Sequence, residues 1–176
     1  FLVAMGGVLG QAQAYVLPAD YLIRLMAETR RAQRLKDLTV HLSTTQLEGS
    51  ELYDEHLYLK QEARLRRVSH RGEVDTIYVS NLGMQASGDE KRIQKLPGLA
   101  EDLTATLLMP GWRDLEEKAL VVVELLTKLG IDSKVTSLGR QGEKIVYIVG
   151  ARSWETDHAQ IWIGKKSLLP MRMRVK

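Results

Sequence analysis

The chain contains no cysteine in its 176 residues. That absence excludes disulfides, thiolate metal sites, cysteine nucleophiles and Cys-anchored lipidation together. Aromatic side chains are sparse, with one Phe, three Trp and six Tyr. Stacking platforms of the kind single-strand nucleic-acid binders use are therefore not evident. No charge sign dominates either. Lys and Arg number 25 against 22 Asp and Glu, a net charge of +3 with both signs mixed along the chain, so a nucleic-acid partner is not expected.

Catalytic signatures are missing as well. There is no HExxH, GxSxG or GxGxxG, and Gly164-Lys165-Lys166-Ser167 imitates the end of a P-loop without its upstream glycine or following helix. The histidines His41, His56, His70 and His158 are scattered without metal-ligand spacing. Asp54–Glu55 and Glu116–Glu117 are adjacent pairs, which a strand or helix splays apart. No metal, cofactor or enzymatic activity is expected.

What is present describes an ordinary globular chain: 44% hydrophobic, 27% charged, and long enough to bury a core. The first nineteen residues carry no charge, and Ala12 and Ala14 stand at the −3 and −1 positions of a cleavage site before Tyr15. Residues 1–14 are expected to be the remnant of a secretory leader, and residues 15–176 a single domain.

Hydrophobic periodicity divides the rest. Pro18 and Asp20 suit a helix first turn, and Leu22, Leu25, Met26 and Thr29 follow at i, i+3, i+4, i+7. A helix is predicted over 19–36, with Arg24, Arg30, Arg31 and Arg34 mostly on its solvated side. From Leu38 the period falls to two, and strands are predicted at 38–47, 52–60, 63–67, 75–81 and 82–86, joined by turns at 48–50 and 69–73. After a polar loop at 87–92, Leu99, Leu103 and Leu107 repeat at four-residue spacing, beside Leu108 and Met109, until Pro110-Gly111 stops them. Asp114 and Glu117 form a capping-box pattern before a second helix, which Gly130 ends. Strands at 134–138 and 144–150 flank a turn at 139–143, and a hairpin of Ala159–Ile163 and Leu169–Val175 closes the chain. Its alternation still runs at the last residue, so further strands are expected to follow in the parent protein.

Strands in succession without βαβ alternation predict a mainly β fold with helices (α+β), a strongly curved antiparallel sheet holding helices against one face. Leu38, Val40, Leu42, Leu57, Leu59, Leu65, Ile77, Val79, Ile161, Ile163, Leu169, Met171 and Met173 are expected on the inner face. Leu103, Leu107, Leu108 and Met109 are expected in a helical cover. Such a concave aliphatic face is either a filled core or an apolar pocket. Its methionines suit varied ligands.

Several short runs carry a resemblance: Lys128-Leu129-Gly130-Ile131-Asp132, Tyr147-Ile148-Val149-Gly150-Ala151, Gln160-Ile161-Trp162-Ile163 and Leu168-Leu169-Pro170-Met171-Arg172. Their succession resembles the LolA-like family of periplasmic lipoprotein carriers, the outer membrane lipoprotein-sorting proteins. The leading helix, the Leu38 strand and residues 51–68 fit the same layout. The resemblance implies an incomplete β-barrel with a helical lid around a cavity for acyl chains. It implies a carrier in the periplasm of a Gram-negative bacterium, passing lipoproteins from an inner-membrane exporter toward an outer-membrane acceptor. Where the family places an arginine after its second strand, this chain has Gln61, with Arg64 and Arg66 close by. No Cys precedes Tyr15, so a LolB-like lipid-anchored acceptor is not implied. The alternative function is an interaction or sensor module of a cell-envelope complex, working through surface residues such as Arg64 and Arg66.

Overall fold

A computed structural model describes residues 16–45, 52–60, 64–69, 74–79, 82–87, 103–108 and 115–175. The expected leader at 1–14, the turn at 48–50, most of the turn at 69–73 and Gln61 lie outside the described residues. So do Leu99, Met109, Pro110, Gly111 and Asp114.

The fold is α+β. Helix α1 (Ala19–Ala32) leads into strands β1 (Asp37–Thr45), β2 (Leu52–Lys60), β3 (Arg64–Ser69), β4 (Val74–Val79) and β5 (Leu82–Ser87). Helices α2 (Leu103–Leu108) and α3 (Leu115–Lys128) follow, then β6 (Thr136–Gln141), β7 (Lys144–Val149), β8 (Gln160–Gly164) and β9 (Pro170–Arg174). The strands form two antiparallel meanders, one of β1 to β5 and one of β6 to β9, each in chain order. The single curved sheet expected from the sequence is thus two sheets, and among the described strands neither closes on itself. Two helices separate β5 from β6, so no tight turn carries the pairing register from one meander to the next.

Helix α1 buries Ala19, Leu22, Ile23, Met26, Ala27 and Arg30, an i, i+3, i+4 stripe that includes a charge. It stops four residues earlier than the spacing predicts. Gln33 N–H donates to the Thr29 carbonyl at 3.1 Å and Arg34 turns into the left-handed region at φ 50, which breaks the helical run. Helix α3 ends as its glycine predicts. Gly130 takes φ 74, its N–H reaches Thr127 O at 3.0 Å, and Ile131 N–H reaches Leu126 O at 2.9 Å. These are the two hydrogen bonds of a Schellman cap.

The main core lies between the helices and one face of the second sheet. Leu22 and Met26 of α1, Leu107 of α2 and Val122 and Leu126 of α3 pack with Tyr147, Val149, Ile161 and Ile163. A second cluster covers one face of the first sheet, and a third lies on the other face of the second sheet, around Val146, Ile148 and Ala151. The β6–β7 turn is tighter than expected. Gln141 pairs with Lys144, which leaves a two-residue hairpin with Gly142 at φ 59. Gly139 therefore stays in the strand, where a Cβ would stand 2.6 Å from Ile148 Cδ1. Its lack of a side chain seats Ile148.

Candidate functional site

The first sheet supplies the aliphatic face that the sequence nominates. Leu38 pairs with Leu59, Val40 with Leu57, and Leu59 in turn with Leu65. Cross-strand partners share a face, so the period-two spacing of each strand adds to one surface. Leu57, Leu59 and Leu65 are fully buried in it, while Leu38, Val40 and Leu42 are half-buried along β1. Helix α2 contributes Leu108 to this cluster and Leu103 and Leu107 to the main core. A helix of six residues therefore bridges both clusters.

The surface does not extend across the sheet. Leu65 pairs with Tyr78, which places Ile77 and Val79 on the opposite face, where they pair with Arg66 and Arg64. Ile77 is 39% exposed. On the inner side the partner of Leu57 in β3 is Arg67, followed by Thr76 in β4. The alternation within β4 is as read, but its parity is set by pairing, and pairing turns Ile77 and Val79 away from the expected wall. Arg64 and Arg66 are exposed on that same far face.

The closing hairpin is corrected in a similar way. Ile161 and Ile163 are buried, but in the core beneath α1 and α3 rather than against the first sheet. A register shift between Trp162 and Ile163 pairs Trp162 with Arg172 and Ile163 with Pro170, which leaves Met171 as the extra residue of a bulge. Met171 consequently packs with Trp162, Val146 and Ile148 on the opposite face. Leu169 precedes the strand and is exposed, as is Met173 on the edge strand β9. Of the expected wall, the six residues of β1 to β3 come together and the other seven do not.

Comparison with protein-family models and with curated proteins returns no match.

Three features were not read from the sequence. Arg30 sits on the buried stripe of α1 at 2% exposure, and desolvation pulls its pKa down to about 10. Its position, three residues after Ala27 and four after Met26, was the available signal. His41 and His56, scattered in sequence, are cross-strand partners whose rings stack with centroids 4.5 Å apart. Gln160 is buried at the start of β8. Its Nε2 donates within the loop that joins β7 to β8, to the carbonyls of Glu155 at 3.0 Å and His158 at 3.2 Å, while its Oε1 accepts from Trp162 Nε1 at 2.7 Å.

A polar side chain inside an apolar strand thus holds the preceding loop. Gln160→Leu keeps the volume but orphans the half-buried Trp162 N–H and the loop carbonyls, and is expected to cost about 1–3 kcal/mol. The check is a urea midpoint together with limited proteolysis. Faster cleavage within 152–158 is expected, and an unchanged cleavage rate and midpoint would remove Gln160 from this role.

Proposed function

We propose that the chain is an acyl-chain carrier, sheltering lipid or lipoprotein chains between the inner face of the first sheet and α2. In this reading the two sheets are parts of an incomplete barrel, with α2 and α3 as its lid. Exporter and acceptor proteins of the inner and outer membranes of a Gram-negative periplasm are its partners, as the LolA-like resemblance implies. The supporting observation is the partial cover of the aliphatic face: Leu38, Val40 and Leu42 stay half-buried beside buried Leu57, Leu59 and Leu65, under a helix of six residues.

Magnitudes favour displacement of that cover. Lifting the Leu108 side chain from its cluster costs about 1.5–3 kcal/mol, by the scale for burying one leucine. Each acyl CH₂ buried in its place contributes about 0.8 kcal/mol, so about two to four methylenes offset the loss. A longer chain then binds with net gain. Leu103 and Leu107 remain anchored in the main core, so α2 tilts away from the first sheet without leaving the protein.

Among the described residues no helix is long and apolar enough to cross a membrane. The carrier reading is tested on the 176-residue chain after delipidation, by fluorescent fatty-acid binding, with native mass spectrometry of the chain as purified. Val40→Lys places an ammonium on the half-buried row and is expected to weaken binding at least about tenfold, the scale of about 1.4 kcal/mol. Its stability is expected to fall by less than about 1 kcal/mol, because a lysine at a half-buried site can extend its head to water. Delipidated chain that binds no fatty acid, from a preparation that carries no lipid, would sink the reading.

A further inference from the structure

The two hairpin turns of the second sheet lie side by side at one end of it. Strand β7 starts and β8 ends there, with Val146 opposite Gly164, and Lys165 N–H donates to the Ile145 carbonyl at 3.0 Å. Arg140 pairs with Ile145 across the first hairpin. Since Tyr147 pairs with Ile163, the same register carries Ile145 opposite Lys165. Arg140, Ile145 and Lys165 therefore form one row on the face that the helices cover, but just beyond the cover. Tyr147 and Ile163 in the row before are buried, whereas all three of these residues are exposed. Lys144 and Lys166 are exposed beside them. Leu168 takes φ 52, rare for a leucine, held by its N–H on Gly164 O at 2.8 Å and by Gly164 N–H on Leu169 O at 3.0 Å. That turn leaves Leu169 37% exposed, across Gly164 from β7, where Ile145 is 44% exposed.

We propose that this end of the second sheet docks the protein on the surface of an anionic phospholipid bilayer. Charge supplies the first reason. The two turns and the strand ends beside them hold Arg140, Lys144, Lys165 and Lys166 against one acid, Glu143, a net +3. At the opposite end of the sheet the described charges balance, with Lys134, Arg152 and Arg174 against Asp132, Glu155 and Asp157. The sheet is thus polarised toward its turns. The second reason is the company that the cations keep. Three of the four are lysines, which protein interfaces deplete, and leucine is likewise rare at protein hot spots. Neither turn carries an aromatic ring on which a nucleic-acid base could stack. Aliphatic tips that enter the headgroup layer, with lysines reaching lipid phosphates around them, suit a bilayer instead. The docking goes beyond the carrier reading and does not depend on an acyl-binding cavity.

The test is partition of the 176-residue chain onto vesicles of phosphatidylcholine with phosphatidylglycerol and onto vesicles of phosphatidylcholine alone. Binding is expected to the anionic vesicles and to weaken with added salt. Lys165→Gln with Lys166→Gln is expected to lower partition about tenfold or more, since each cation near an anionic surface contributes about fivefold. Leu169→Ser is expected to lower it about threefold at unchanged charge. Removing the same charge from the other end, by Lys134→Gln with Arg152→Gln, is expected to leave partition within about twofold. All five side chains are exposed, so urea midpoints are expected to stay near that of the parent. Equal partition on both vesicles, or equal losses from the two double variants, overturns the proposal. An unchanged Leu169→Ser overturns it as well, because it leaves a polyanion contact without insertion. A chain that ignores both vesicles overturns it too, whether or not an oligonucleotide or an acidic protein retains it. The carrier reading is scored separately, by bound lipid in native mass spectra.

Discussion

Replacing Gly150 by alanine is expected to lower the stability of the fold by about 3–5 kcal/mol, the sum of backbone strain and a forced contact. Gly150 ends β7 at φ 101, a conformation that side chains rarely adopt. A Cβ built there stands 2.5 Å from the Ala159 carbonyl oxygen and 2.6 Å from Ile131 Cγ2. The first of these is backbone, so no rotamer change relieves it. Glycine at this point lets the exit of β7, the entry to β8 and the residue after the α3 cap share one small volume. Gly142→Ala is the matched control, because its φ of 59 is also positive but nothing lies within 4 Å of the built Cβ. That control is expected to cost only about 1 kcal/mol, the steric cost of the left-handed region. Urea denaturation of both variants measures the difference, and equal losses would show that the close approach is unimportant.

Arg30→Met is expected to remove a component of stability that rises by about 1 kcal/mol between pH 7 and pH 11. Burial disfavours the charged guanidinium and brings its pKa to about 10, well below the ordinary arginine value. That displacement corresponds to a penalty of about 3 kcal/mol for folding with the charge in place. The sign follows from proton binding. Below about pH 10 folded and unfolded chains both keep the proton, so the penalty is complete and independent of pH. Above it the folded chain releases the proton first, and stability rises with pH toward the ordinary arginine value. The stability of the parent relative to Arg30→Met is therefore expected to rise by about 1 kcal/mol between pH 7 and pH 11. Methionine is unbranched and close to arginine in helix propensity, so α1 itself is little disturbed. Paired urea curves at the two pH values decide the matter. A difference between parent and variant that is the same at both pH values would show that the Arg30 charge is not the source of this dependence.

Residue spacing located most of the elements. The limits of β2 and β5 fall within a residue of the prediction, and the helix stop at Gly130 is a Schellman cap whose glycine was visible from the start. These features are local, set by the side chains of a few consecutive residues and by the backbone freedom of one glycine. Helix α1 shows the limit of that kind of reading. Its apolar spacing is clear, but the chemistry of Arg30 points it to water although its place in the repeat puts it inside. The aliphatic row of β1 to β3 was legible because each strand shows it alone and tight pairing keeps the strands in phase.

The contributions of sequence and tertiary structure divide at the strand partner. By itself the sequence determined where strands and helices lie, the α+β class and the alternation within each strand, because the two faces of a strand are written in adjacent residues. Which face is inside depends on register, and register belongs to a pair of strands. Tertiary pairing thus decided that Ile77 and Val79 stand with Arg66 and Arg64, opposite Leu65. A single bulge in β9 moved Met171 to the other side of the second sheet. Packing also divided α2 between two clusters and left Trp154 in water on a loop held by Gln160. A shift of one residue in pairing exchanges the two faces of a strand while its sequence stays the same.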